Sequence, residues 1–156
     1  MIAVRMNAWV WAVVAWIGVI FFSSTTVAGR SSEEAFGALS RLFLTHLQPG
    51  TSSYDIVHLL ADKSVHVGLF FVLAVLLWRA LPSAPGRVIA ILIVGAVIGS
   101  CSELLQMLFP GRDPAFRDVL INIGGTALGM GFSFGIAKLH ASARPVPKLG
   151  TSGLPR

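Results

Sequence analysis

Side chains able to do chemistry are few in this chain, and they fall into three short groups. Asp62, Lys63 and His66 form the first, Glu103 and Gln106 the second, and Arg112, Asp118 and Asn122 the third. Spacings of three or four residues put Asp62 with His66, Glu103 with Gln106, and Asp118 with Asn122 on common helix faces. Histidine suits proton transfer near neutral pH, and an arginine such as Arg112 grips a phosphate through two nitrogens. Asp118 or Glu103 could orient His66 for acid–base work on a phosphate-bearing substrate. No nucleophile stands out: Ser64 and Ser102 lie close by, but serines near helix ends usually cap or pack. Catalytic residues are therefore left unassigned. His58, Asp62 and His66 recur every four residues and, with Glu103, offer nitrogen and oxygen ligands of the kind zinc takes. Lys63 beside them would repel a cation, so neither a metal nor another cofactor is expected.

The elements that must position these groups are apolar. Of 156 residues, 54% are hydrophobic and 12% charged, against roughly 25% charged in a soluble domain; the mean hydropathy is +0.77. This excludes a soluble enzyme domain and a disordered chain. The net charge of +5 does not signal nucleic acid, because the basic residues are scattered singly among apolar runs. The lone cysteine, Cys101, permits no internal disulfide and reads as a small packing residue.

Four apolar stretches approach or exceed the roughly 20 residues needed to cross a bilayer: about residues 8–28, 65–81, 88–109 and 119–139. The first resembles a signal peptide in having Arg5 before it and Thr26-Val27-Ala28 after it. Its length and its three tryptophans, Trp9, Trp11 and Trp16, favour a retained helix. The expected fold is all-α, an integral membrane bundle of four transmembrane helices over residues 1–140, followed by a disordered cytoplasmic tail over 141–156. Between the first two spans, Ser31-Ser32-Glu33-Glu34 could open a short helix with Phe36, Leu39, Phe43, Leu44 and Leu47 on one face. This reads as an amphipathic connector helix on the membrane surface, broken by the run from Gln48 to Ser53. His46 and His140 read as solvated, and Trp78 as an interfacial anchor.

Lysines and arginines count seven on one side (Arg5, Arg79, Arg87, Lys138, Arg144, Lys148, Arg156) and five on the other (Arg30, Arg41, Lys63, Arg112, Arg117). That bias puts both termini inside. Gly95 with Gly99, Gly125 with Gly129, and Gly131 with Gly135 provide spacings for close helix approach. In this topology the three polar groups gather at the outer membrane face. Glu103 lies about two turns inside its helix end, where an acid is costly unless paired or wetted; Arg112 and Lys63 are its natural partners. The cluster reads either as a recognition site or as an ion-pair lock between helix ends.

The ordered set of motifs resembles the VanZ-like membrane protein family. It comprises Ile20-Phe21-Phe22-Ser23-Ser24; Asp62-Lys63-x-x-His66; Ser102-Glu103-Leu104-Leu105-Gln106 through Phe109-Pro110-Gly111-Arg112; and Asp118 through Asn122-Ile123-Gly124-Gly125, ending in Gly129. The resemblance implies a small helical protein of the bacterial cytoplasmic membrane, with Asp62, Lys63, His66, Glu103, Gln106, Arg112, Asp118 and Asn122 as signature positions. Founding members are associated with low-level resistance to the glycopeptide teicoplanin. Many relatives place a tyrosine where this chain has Phe70, so any role for that hydroxyl is missing here.

These readings favour a binding protein at the outer membrane face. Lys63, Arg112 and Arg117, with hydrogen-bonding neighbours, suit an anionic lipid headgroup or a lipid-linked cell-wall precursor. A glycopeptide is a further candidate partner, nucleic acid is not, and the glycine pairs permit a homodimer. The alternatives are an enzyme acting on a lipid-linked phosphate, or a small transporter formed by a dimer.

Overall fold

The boundaries of the helices follow from their caps. The computed structural model describes residues 8–25, 31, 34–38, 50–109 and 115–142. Every regular element among them is helix: α1 (Ala8–Ser23), α2 (Ser52–Ala80), α3 (Arg87–Gln106) and α4 (Phe116–Ser142). Gly50 turns the chain at a φ of 84°. Thr51 then caps α2 by accepting the Tyr54 amide at 3.3 Å, and Asp55 sits in the first turn, where the helix dipole favours an acid. The second helix therefore starts 13 residues before the apolar stretch that begins at 65. Asp62, Lys63 and His66 do not open it but lie in its third and fourth turns. At its other end Leu81, held extended before Pro82, stops the helix. Gly86, at φ 87°, makes the tight turn into α3. That helix ends at Gln106, and residues 107–109 continue as turns closed by i to i−3 bonds.

Three helices, α2, α3 and α4, are long and apolar enough to cross a membrane. The fourth, α1, is apolar but has 16 residues, about 24 Å of helix against a hydrocarbon layer of about 30 Å. The rest of the first apolar stretch, Thr26 to Ala28, lies outside the described residues. So do residues 39–49, which hold most of the expected connector helix, and the tail from Ala143. Of the connector, residues 34–38 are helical, and the Phe36 ring meets the rings of Tyr54 and His58 at centroid distances of 5.5 and 4.8 Å.

The bundle is held by close approach along α4. A Cβ on Gly95 would stand 2.5 Å from Thr126 Oγ1, and one on Gly99 would stand 3.1 Å from Asn122 Cβ, so α3 and α4 pack antiparallel through these positions. Gly125 and Gly129 lie against the backbone of Val67 and Phe71, which brings the parallel helix α2 equally close. Gly131 and Gly135, expected to act in the same way, have nothing within 4 Å. Their spacing is that of a packing pair, but they fall on a face of α4 that no described neighbour approaches. The α1 helix docks on α2 through the Trp16 indole, which donates to Leu69 O at 2.8 Å. Phe70, Leu73, Ala74, Leu77 and Ile91 form the apolar core, joined by Val13 and Ile20 from α1.

Polar side chains are buried as often as apolar ones, while Ile89, Ile93, Val97 and Leu104 are exposed along α3. This distribution suits lipid rather than water around the bundle. With no hydrophobic drive between helices in lipid, packing and polar contacts hold them together.

Candidate functional site

Lys63 and His66, one helical turn apart on α2, both face α4. The Lys63 ammonium donates to Asp118 Oδ2 at 2.8 Å and lies 3.1 Å from Asp62. His66 Nδ1 stands 3.2 Å from Asn122 Oδ1; the amide oxygen accepts, so Nδ1 carries the proton. Asp118 occupies the first turn of α4, where an acid complements the helix dipole, and it is 4% exposed. Among the described residues its second oxygen has only the Arg117 guanidinium, 3.9 Å away and largely exposed, beyond hydrogen-bond distance.

The α3 helix brings Ser102, Glu103 and Gln106, all buried, to the same end of the bundle. The spacing that stacks Gly95 on Thr126 and Gly99 on Asn122 continues to Glu103 and Asp118, four residues on along α3 and four back along α4. Two carboxylates therefore share one level, with Lys63 and His66 within electrostatic reach of Glu103. Glu103 is 5% exposed, yet neither of its carboxylate oxygens has a hydrogen-bond partner among the described residues. The Ala115 amide lies near it, outside hydrogen-bond geometry. The Nδ2 of Asn122 is buried and unpartnered as well.

The pairing differs from the simplest expectation in two respects. Lys63 neutralises Asp118 rather than Glu103, because α2 packs far more extensively on α4 than on α3. Asn122, not a carboxylate, holds His66. Asp62 stays at the surface, bound only to its neighbour on the same helix. Arg112 lies outside the described residues.

One buried neighbour, Thr126, was not singled out from sequence. Thr126 is fully buried beneath Asn122, returning its hydroxyl to Asn122 O; its signal is its place four residues beyond Asn122. Ser24, just past α1, is buried and bonds Ile20 O. Phe70 is a buried floor under the cluster, packed against Gly99 and Gly125.

Ser64 and Ser102 give their hydroxyls to Leu60 O and Gly99 O of their own helices, so neither is primed as a nucleophile. His58 sits in the ring cluster with Phe36 and Tyr54 rather than beside His66. Among the described residues no three histidine, cysteine or acidic side chains are placed to hold a metal ion.

Long apolar helices packed around a buried, partly unsatisfied polar cluster define a helical membrane protein with a chemically distinct end. The model of the VanZ/LLP1 family matches residues 9–138, from α1 almost to the end of α4. The chain belongs to that family, as the ordered motifs implied. No curated protein and no solved structure matches it.

Proposed function

We propose that this is a four-pass protein of a bacterial cytoplasmic membrane, both termini inside, in which α1 makes the fourth crossing. Its polar cluster recognises a lipid headgroup or lipid-linked cell-wall precursor at the outer face. The observation that carries this reading is Glu103: a buried carboxylate with neither oxygen in hydrogen-bond geometry with any of the described residues. An ion-pair lock would satisfy such a group, since an unpaired buried charge costs several kcal/mol, of the order of 3–5. A site awaiting a ligand leaves it free.

The ligand chemistry follows from what remains unpaired. Glu103 accepts from an ammonium, amide or hydroxyl, and Asn122 Nδ2 donates. Arg117 at the rim, with Arg112 five residues before it in sequence, supplies charge for a phosphate. A wall precursor presents both kinds of group, and a link to teicoplanin resistance would run through that ligand. Catalysis is the weaker reading, because Ser64 and Ser102 are both engaged by their own helices. Transport by a single chain is opposed by the apolar core lying below the cluster.

Native mass spectrometry of protein released from mild detergent tests the proposal. Wild type should carry a lipid or precursor that Glu103→Ala and Arg112→Ala lose and Arg30→Ala keeps. Equal retention in all three variants would overturn the site.

A further inference from the structure

We propose that the opposite end of the bundle binds the phosphate of an anionic glycerophospholipid, between Arg87, Arg79 and Lys138. The charge distribution prompts the search there. All seven acidic residues fall within residues 33–62 or 103–118. The end formed by the last turns of α2, the 81–86 turn, the start of α3 and the end of α4 carries Arg79, Arg87, Lys138 and His140 and no acid. Those cations have no counter-ion in the bundle end that holds them.

The geometry there is that of a built cation. The Arg87 guanidinium lies 4.1 Å over the Trp78 ring and donates to Ser83 Oγ at 3.0 Å, while its Nε is buried and without a partner among the described residues. Stacking fixes the guanidinium plane, so an oxyanion that bridges its nitrogens meets a preset fork. Arg79 is held over Trp9 at 5.1 Å. Gly86 gives α3 no side-chain cap, and the Arg87 amide is taken by Ala84 O, so the anion is held by the cationic side chains.

Two open hollows meet at Arg87. One, of about 650 Å³, runs between Arg79, Ser83, Arg87, Ser133 and His140. The other, of about 920 Å³, shares Trp78, Ser83 and Arg87 and adds Lys138, Ile89 and Phe134. Ile89 and Phe134 are 62% and 58% exposed and lead from the cations onto the apolar face of the bundle. A free phosphate would use the cations and leave that apolar wall bare. A phospholipid uses both, with its headgroup at Arg87 and its acyl chains along Ile89 and Phe134, as basic pockets between transmembrane helices do.

The test is thermal unfolding of the purified full chain in uncharged detergent with added phosphatidylglycerol, phosphatidylcholine or inorganic phosphate. Phosphatidylglycerol should raise the midpoint by about 5 °C, and the other two should leave it unchanged. Arg87→Gln should abolish the shift and Lys138→Gln should roughly halve it. Glu103→Gln and Arg117→Gln, at the other end, should keep it. An equal shift with phosphatidylcholine, or with inorganic phosphate, would overturn the proposal. So would loss of the shift in Glu103→Gln, which would place the lipid at the polar cluster. If Arg87→Gln fails to fold, a full shift in Lys138→Gln would overturn the proposal by itself.

Discussion

Lys63 and Asp118 close a 2.8 Å ion pair between α2 and α4, with the acid almost wholly buried and the ammonium one-fifth exposed. The pair joins two helices that begin at the same end of the bundle, and it engages a cation that Glu103 could have used. Lys63→Met would leave the Asp118 charge buried with, among the described residues, the distant Arg117 to balance it. Removing one partner of a buried pair costs about 3–5 kcal/mol, and the exposure of Lys63 places this case near the lower value. Thermal unfolding in detergent should show a clear drop for Lys63→Met, with most of it regained in the double variant Lys63→Met, Asp118→Leu. A double variant no more stable than the single would show that the two side chains do not act as a pair.

Glu103 predicts the opposite sign. Its charge is buried without a hydrogen-bond partner among the described residues, and it shares a level with Asp118. Glu103→Gln keeps the shape and removes the charge. The unfolding midpoint should rise while ligand retention falls, the usual exchange of stability for function at a site. A midpoint that falls by as much as in Lys63→Met would make Glu103 part of a structural lock and remove the case for recognition.

The apolar helices were legible because hydropathy over 17–22 residues reports directly on burial in lipid. The start of α2 was not, since residues 52–64 mix Tyr54, Ile56, Leu59 and Leu60 with polar groups, and only the Thr51 cap shows where the helix begins. The shared helix faces of Lys63 with His66, Glu103 with Gln106 and Asp118 with Asn122 could be read from spacing, because three and four residues fix a face. Their pairing could not. Whether Lys63 meets Asp118 or Glu103 depends on which helix α2 packs against more tightly, and that is set by glycines far along the chain at 125 and 129. The Gly131 and Gly135 pair shows the converse: the same spacing arises without a partner.

That contrast gives a third prediction. A Cβ on Gly125 would stand 2.6 Å from Val67 O, a backbone atom that cannot move without shifting α2. Gly125→Ala should destabilise by about 1–3 kcal/mol, the range for overpacking. It should also loosen the His66–Asn122 contact, since Asn122 is one turn away on the same helix. Gly131→Ala meets no atom within 4 Å and gains helix propensity of up to about 1 kcal/mol. Comparable losses in both variants would show that α4 does not meet α2 through Gly125.

The proposed orientation can be tested with the chain's single native cysteine removed. In a Cys101→Ala background, Ser53→Cys sits in the first turn of α2, at the end that holds the polar cluster. Ser83→Cys sits in the turn before α3, at the end that holds Arg87 and Lys138. Both serines are exposed, so labelling reports access rather than burial. With the termini inside, a membrane-impermeant maleimide added to intact cells should label Ser53→Cys, and should label Ser83→Cys only after the membrane is opened. Reversed labelling would invert the topology. It would put the polar cluster in the cytoplasm, where a precursor displayed outside the cell could not reach it.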